Sequence, residues 1–247
     1  MARARIHIAG ADGGADREAA HCNTCGGLHV CVRKKRKVME DYGAYFEPWV
    51  GQRYGRGGKR LLIVGDSHYC GECAACGVRG MVTMAKMGEC RQMTRKTVRQ
   101  YLEARRGERP MDGWMGRTYL RFDKMILGLD DVTPAMSEEL WGGAAFYNFV
   151  QTAASMDPSN TNYSAEDYKA SGPIFKRVMD ALLPDRVIVW GNRAYEAMPG
   201  EGWRGGADYY CGAYTLRGGH EARCLRMIHP SRAATEEWRE KLREFLG

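Results

Sequence analysis

Two short polar clusters in this chain carry the residue types that hydrolytic chemistry needs. The first is Asp66-Ser67-His68-Tyr69, directly after Leu61-Leu62-Ile63-Val64-Gly65. The second is His229-Pro230-Ser231-Arg232, directly after Cys224-Leu225-Arg226-Met227-Ile228. A carboxylate, an alcohol and an imidazole can position a water, attack an electrophilic carbon or carry a proton. Asn148 stands between the two clusters, at the end of Ala144-Ala145-Phe146-Tyr147. Its amide can donate and accept hydrogen bonds at once. Singly, each residue has a plain structural explanation. Asp66 can cap a turn, Asn148 can satisfy buried backbone groups, and His229 can be a hydrogen-bonded core histidine. Each one, however, sits at or just after the end of an apolar run, which points to one shared site.

A third cluster has ligand chemistry. Cys70, Cys73 and Cys76 recur at two-residue spacing, and Cys90 follows Cys76 after thirteen intervening residues. Four thiolates so placed can surround one tetrahedral ion, and zinc is the expected occupant. An iron–sulfur cluster is the alternative. In either case the metal would pin the loop after Tyr69 and be structural. A further arrangement would draw in Cys22 and Cys25, which share the same spacing. His29 and Cys31 are possible additional ligands near them.

The elements that must position these groups can be read from pattern. The runs 61–65, 144–150, 186–191 and 223–228 are short, apolar and partly β-branched, as expected of strands buried on both faces. Helices are expected at 94–105, 117–129, 165–183, 192–198 and 235–245, with Thr94 and Thr235 as N-caps. Residues 199–222, rich in glycine, read as an irregular connection, and 158–163 as a polar loop. Strands alternating with helices imply a largely parallel sheet covered on both faces. The fold class is therefore α/β: a three-layer α/β/α domain over 39–247 with a short, mainly parallel four-stranded sheet. In such sheets ligands bind outside the carboxyl ends of the strands, where Asp66, Asn148 and His229 fall.

Size and charge narrow the class. The chain has 247 residues, 44% of them hydrophobic, and a formal net charge of +7. That suits one globular domain with an anionic partner, nucleic acid first among them. No apolar run approaches the roughly 20 residues of a membrane span, so no membrane partner is expected. The first residues lack the apolar stretch of a secretory signal, so an intracellular, cytoplasmic setting is expected. There, the nine cysteines read as metal ligands or core residues before disulfides. Residues 1–38 differ in character: a small, Gly-containing stretch, the Cys22/Cys25 knuckle, and the basic run Arg33-Lys34-Lys35-Arg36-Lys37. They read as a basic extension that either binds phosphates or is a solvated tail.

Gly65-Asp66-Ser67-His68-Tyr69, Phe146-Tyr147-Asn148 and His229-Pro230-Ser231-Arg232 together resemble the motifs of the uracil-DNA glycosylase superfamily, in the same order, over roughly 60–232. The resemblance implies a monomeric enzyme that hydrolyses the N-glycosidic bond of a flipped base in DNA. By the same resemblance, Gly65 is the motif glycine and Tyr69 the aromatic residue that helps exclude thymine. Asn148 reads the base, with Tyr69, Phe146 or Tyr147 beside it. His229 stabilises the charge on the leaving base, and Ser231 and Arg232 grip the DNA backbone. The sequence departs from the pattern at one place. Ser67 occupies the position where the best-known members carry the water-positioning Asp, and His68 replaces a proline. The water then falls to Asp66 or to His68, or hydrolysis is weak or absent and the protein is a silent nucleic-acid binder. Some branches carry a four-cysteine iron–sulfur cluster, at a different spacing from the one here. Gly65-Asp66-Ser67 also resembles the nucleophile motif of SGNH-type esterases, with His229 as base and Asn192 at the oxyanion. That family places an Asp three residues before its His, where this chain has Arg226.

Overall fold

The computed structural model describes residues 42–69, 90–151, 153–154, 163–206, 208 and 210–247. All of them belong to the compact unit spanning 40–247. The basic extension at 1–38, the cysteines at 70, 73 and 76 and the polar loop from 158 to 162 lie outside the described residues.

The apolar runs form strands as their composition demands. Strands β1 (Trp49–Val50), β2 (Leu61–Gly65), β4 (Ala144–Asn148), β6 (Arg186–Trp190), β7 (Trp203–Gly205), β8 (Cys211–Thr215) and β9 (Glu221–Met227) make one sheet in the order β1-β4-β2-β6-β9-β8-β7. The sheet thus has seven strands, not the expected four. The four expected ones are its centre, and they pair parallel: β2 with β4, β2 with β6, and β6 with β9. The other three pair antiparallel at the edges. A separate two-stranded parallel ladder joins β3 (His68–Tyr69) to β5 (Ala153–Ala154). Strands β7 and β8 lie inside the stretch that reads as irregular. Gly212 has a packing reason: a Cβ there would fall 2.1 Å from the Trp203 ring on the paired strand.

Alternation along the central strands sends side chains to two cores. Leu62, Val64, Ala145, Tyr147, Val187, Val189 and Cys224 face one of them. There, Phe175, Val178 and Met179 of α5 (Ala165–Leu182) cover them. Ile63, Phe146, Ile188, Trp190, Leu225 and Met227 face the other. That side is covered by α1 (Met93–Arg105), α2 (Gly113–Met115) and α3 (Arg121–Leu127), and by α4 (Pro134–Gly143) and α7 (Thr235–Leu246). A π-helical turn, Gly116–Leu120, joins α2 to α3. The short α6 (Asn192–Glu196) follows β6.

Local signals explain two of the helix starts. Ser164 and Asp167 form a reciprocal capping box at α5. Thr133 accepts from Met136 N at α4, with Pro134 in the first turn. Two expected caps are corrected. Thr94 lies inside α1, whose N-cap is Gln92, and its hydroxyl faces His68 instead. The α7 cap is Ala234, with no side-chain bond.

Burial on the second face includes one carboxylate. Asp123 is fully buried and accepts from Tyr101 Oη at 2.5 Å, Ser137 Oγ at 2.6 Å and Trp141 Nε1 at 2.9 Å. It thereby ties α3 to α1 and α4. Burial pushes its pKa up from 3.8 to about 6, against the pull of those three donors. A carboxyl whose folded pKa is raised binds its proton more tightly when folded. Its contribution to stability is present near pH 4 and lost as pH rises through about 6. The loss is on the order of 3 kcal/mol from the two-unit shift. Asp123→Asn should remove this slope. Urea unfolding of both proteins at pH 4 and pH 7 checks it, and equal pH dependence in parent and variant would contradict the assignment.

Candidate functional site

The chain leaves β2 toward the face that carries α1 to α4. It leaves the neighbouring strands β4 and β6 toward the face that carries α5. Such a reversal opens a crevice at the strands' carboxyl ends. Gly65 and Asn148 stand at those carboxyl ends, paired across β2 and β4. The ladder continues one step beyond, with Phe149 N bonding Gly65 O and Val150 N bonding Asp66 O, both at 2.9 Å.

Gly65 is required by close approach. A Cβ there would lie 2.1 Å from Asn148 Oδ1 and 3.0 Å from the Phe146 ring. Asn148 is 9% exposed, and both its side chain and its backbone are held. Its side-chain Nδ2 donates to His68 Nδ1 at 3.2 Å, while its backbone carbonyl accepts from Gln151 Nε2 at 2.8 Å. Gln151 Oε1 in turn accepts from Phe46 N at 2.9 Å. Because His68 Nδ1 accepts, its proton sits on Nε2 and donates to Thr94 Oγ1 at 3.2 Å. The ring packs on Phe46 with centroids 4.0 Å apart. The His68 carbonyl accepts from Tyr163 Oη at 2.9 Å. His68 is 3% exposed with both nitrogens engaged, and burial pushes its pKa down to about 3. It is therefore a neutral support behind Asn148.

Asp66 is half-buried and accepts from Tyr168 Oη at 2.8 Å. Burial raises its pKa, while the Tyr168 bond and the Arg193 charge oppose the rise. Ser67 is half-buried, and among the described residues no hydrogen bond joins it to His229. Phe146 is buried beneath the crevice, against Trp190, Trp141 and Tyr119. Tyr69 pairs through its backbone with Ala154, and its side chain lies outside the described residues.

His229 arrives from β9, two strands from β2. Its Nδ1 accepts from Ser231 Oγ at 2.8 Å and from Ser231 N at 3.3 Å. The neutral ring's proton is then on Nε2. Burial, with the Arg232 charge adding to it, pushes its pKa down to about 4. Trp190 meets the ring edge-on with centroids 6.2 Å apart. Arg121 Nη1 donates to the Ser231 carbonyl at 3.2 Å and steadies the loop. Arg232 is exposed.

Of the four expected metal ligands, only Cys90 is described, and it is buried just ahead of α1. Cys70, Cys73 and Cys76 lie outside the described residues. No cluster of three or more metal-ligating side chains occurs among the described residues. No helix among the described residues is long and apolar enough to cross a membrane.

Sequence reasoning missed Tyr168, Tyr163, Thr94, Gln151 and Arg193. Gln151 was the most accessible, lying three residues beyond Asn148. Tyr168 had no local signal, because it reaches Asp66 from a different helix. No family model matches this chain, and no curated protein matches it. Both His68 and His229 should be neutral, with the proton on Nε2, at pH 5.5. Long-range 15N–1H correlation of the imidazoles checks this, and an imidazolium at either position would contradict the arrangement.

Proposed function

We propose that this protein is a uracil-DNA-glycosylase-like hydrolase, a three-layer α/β/α domain that excises a flipped base from DNA. The observation that carries the reading is the Asn148 amide, pressed against Gly65 and fixed by His68. Its Oδ1 and its second Nδ2 hydrogen form an acceptor–donor pair. That pair complements the N–H and C=O of an imide or lactam edge, as in uracil or hypoxanthine. His68 therefore acts as a positioning residue, and the water falls to Asp66.

The chemistry then divides among three side chains. The C1′–N bond breaks and its electron pair leaves with the base. His229 Nε2–H donates to the base oxygen on which that charge builds, as a preorganised neutral donor. Asp66 orients the water whose oxygen bonds C1′, accepts its proton, and offsets the positive charge on the sugar. The exposed Arg232 meets the phosphate backbone, while Ser231, whose O–H goes to His229 Nδ1, orients the imidazole. The half-burial of Asp66 shields this charge from solvent. A monomer acting on DNA in the cytoplasm suits the charge and the chain's size.

The esterase reading fares worse on a specific point. Ser67 would need His229 Nε2 as an acceptor, yet Ser231 fills Nδ1 and leaves the proton on Nε2. Arg226 stands at the position of that family's Asp, so the base would lack its orienting carboxylate, and it bonds Asn192 Oδ1 at 3.0 Å instead.

Asn148→Ala and His229→Ala should each slow abasic-site formation by about two to three orders of magnitude. Asp66→Asn should abolish it, and Ser67→Ala should preserve it. Activity needs ionised Asp66, so it falls as pH drops through that raised pKa. Tyr168→Phe removes a bond to the charged form and should move this acidic limb to higher pH. Protonation of His229 enters only near pH 4. Single-turnover assays across pH check all five proteins, and undiminished activity in Asn148→Ala and His229→Ala would overturn the site.

The cysteines at 70, 73, 76 and 90 are proposed to hold one structural zinc, an iron–sulfur cluster being the alternative. Elemental analysis should return about one zinc per chain, lost on strong chelation with thiol modification. Absence of both zinc and iron from purified protein would refute the clip.

A further inference from the structure

The segment between α1 and α4 carries a feature that the excision chemistry does not use. Trp114 is 46% exposed, the most exposed large apolar side chain among the described residues. A single exposed apolar side chain is ordinary on a protein surface, and what distinguishes this one is the company its ring keeps. The ring is held, edge-on to the buried Tyr119, with centroids 5.9 Å apart. Tyr119 meets Trp190 at 5.8 Å, and Trp190 meets His229 at 6.2 Å. A continuous row of rings thus runs from the surface to the imidazole of the candidate site.

The surroundings of Trp114 are cationic. Arg117 is exposed and makes no ion pair among the described residues. Its guanidinium lies over Gly113, where a Cβ would fall 3.2 Å from Nη1. Asp112 is the adjacent carboxylate, and it pairs with Arg109 at 3.5 Å. Arg121, one turn further, is bonded to the carbonyl of Ser231, so the segment is fastened to the loop that carries His229. The backbone between them is the π-helical turn Gly116–Leu120. Such turns recur at functional sites, because they widen a helix locally and re-aim side chains.

Building on the nucleic-acid substrate argued above, we propose that Trp114, flanked by Arg117, stacks an unpaired base of the strand whose neighbouring nucleotide enters the His229 site. The occupant is single-stranded nucleic acid, because an exposed indole face with an adjacent unpaired guanidinium matches a base and its phosphate. A paired base hides that face inside the duplex. A net charge of +7 favours the same polyanion over a neutral protein partner.

The test uses the full chain and a labelled oligothymidylate that contains no excisable base, read by fluorescence anisotropy. Trp114→Ala should weaken binding at least about fivefold, and Trp114→Phe should restore most of it. Arg117→Ala should lower the slope of log affinity against log salt by about 0.7, one phosphate contact on a single strand. The Trp114→Ala effect should vanish on the matching duplex. Thermal melting of each variant should match the parent, since both side chains are exposed. Parent-like binding by Trp114→Ala, equal losses on duplex and single strand, or no binding by the parent would each overturn the proposal. The excision reading stands or falls separately. A parent that binds through Trp114 yet releases no base keeps the platform and loses the glycosylase. A parent that excises a base, with Trp114→Ala binding as tightly as the parent, does the reverse.

Discussion

The site depends on how closely two backbones approach at the end of β2 and β4. No side chain fits on Gly65, because the Asn148 amide already occupies the space a Cβ would need. That contact fixes one side of the amide. His68 fixes the other, and Thr94 fixes His68. A buried amide with one orientation is a selective reader, since any base edge of the wrong polarity leaves polar groups unpaired. The chain leaves one donor hydrogen and one acceptor of Asn148 unassigned by these bonds. Those two groups are the ones the proposed recognition uses.

The electrostatics follow from burial. Two histidines lie in the crevice, and desolvation drives both toward the neutral form. Their accepted bonds differ in partner but not in consequence, since each puts the ring proton on Nε2. His68 spends that proton on Thr94, within the protein. On His229 no hydrogen bond among the described residues takes that proton, and Trp190 lies edge-on to the ring. The one carboxylate at the strand ends, Asp66, is raised toward neutrality but held back by Tyr168 and Arg193. One anion with a raised pKa and one neutral donor, at the carboxyl ends of the same sheet, are group types suited to general base work with charge stabilisation.

Much of this arrangement was legible in the sequence, and the reasons are local. The four apolar runs announced the central strands because burial on both faces demands uninterrupted hydrophobic residues, as in Leu61 to Val64 and Arg186 to Trp190. Asp66, Asn148 and His229 stood out because each sits where such a run stops. What stayed hidden depends on distance along the chain. Tyr168 reaches Asp66 across 102 residues, and Thr94 reaches His68 across 26. Thr94 read as a helix cap because a threonine before an apolar-periodic run usually is one. Strands β7 and β8 were illegible because they are short and rich in glycine, which packing beneath Trp203 requires at Gly212. The difference between four strands and seven comes mostly from that hairpin.

The central claim is that the crevice breaks an N-glycosidic bond. The most direct measurement is mass spectrometry of the small molecules released from single-stranded oligonucleotides carrying uracil, hypoxanthine or xanthine. The account predicts a free base of one of these, equimolar with an abasic strand, and no release from thymine at the same position. An intact strand with every base, while the protein still binds it in a salt-dependent way, would contradict the account and leave a protein that reads nucleic acid without cutting it.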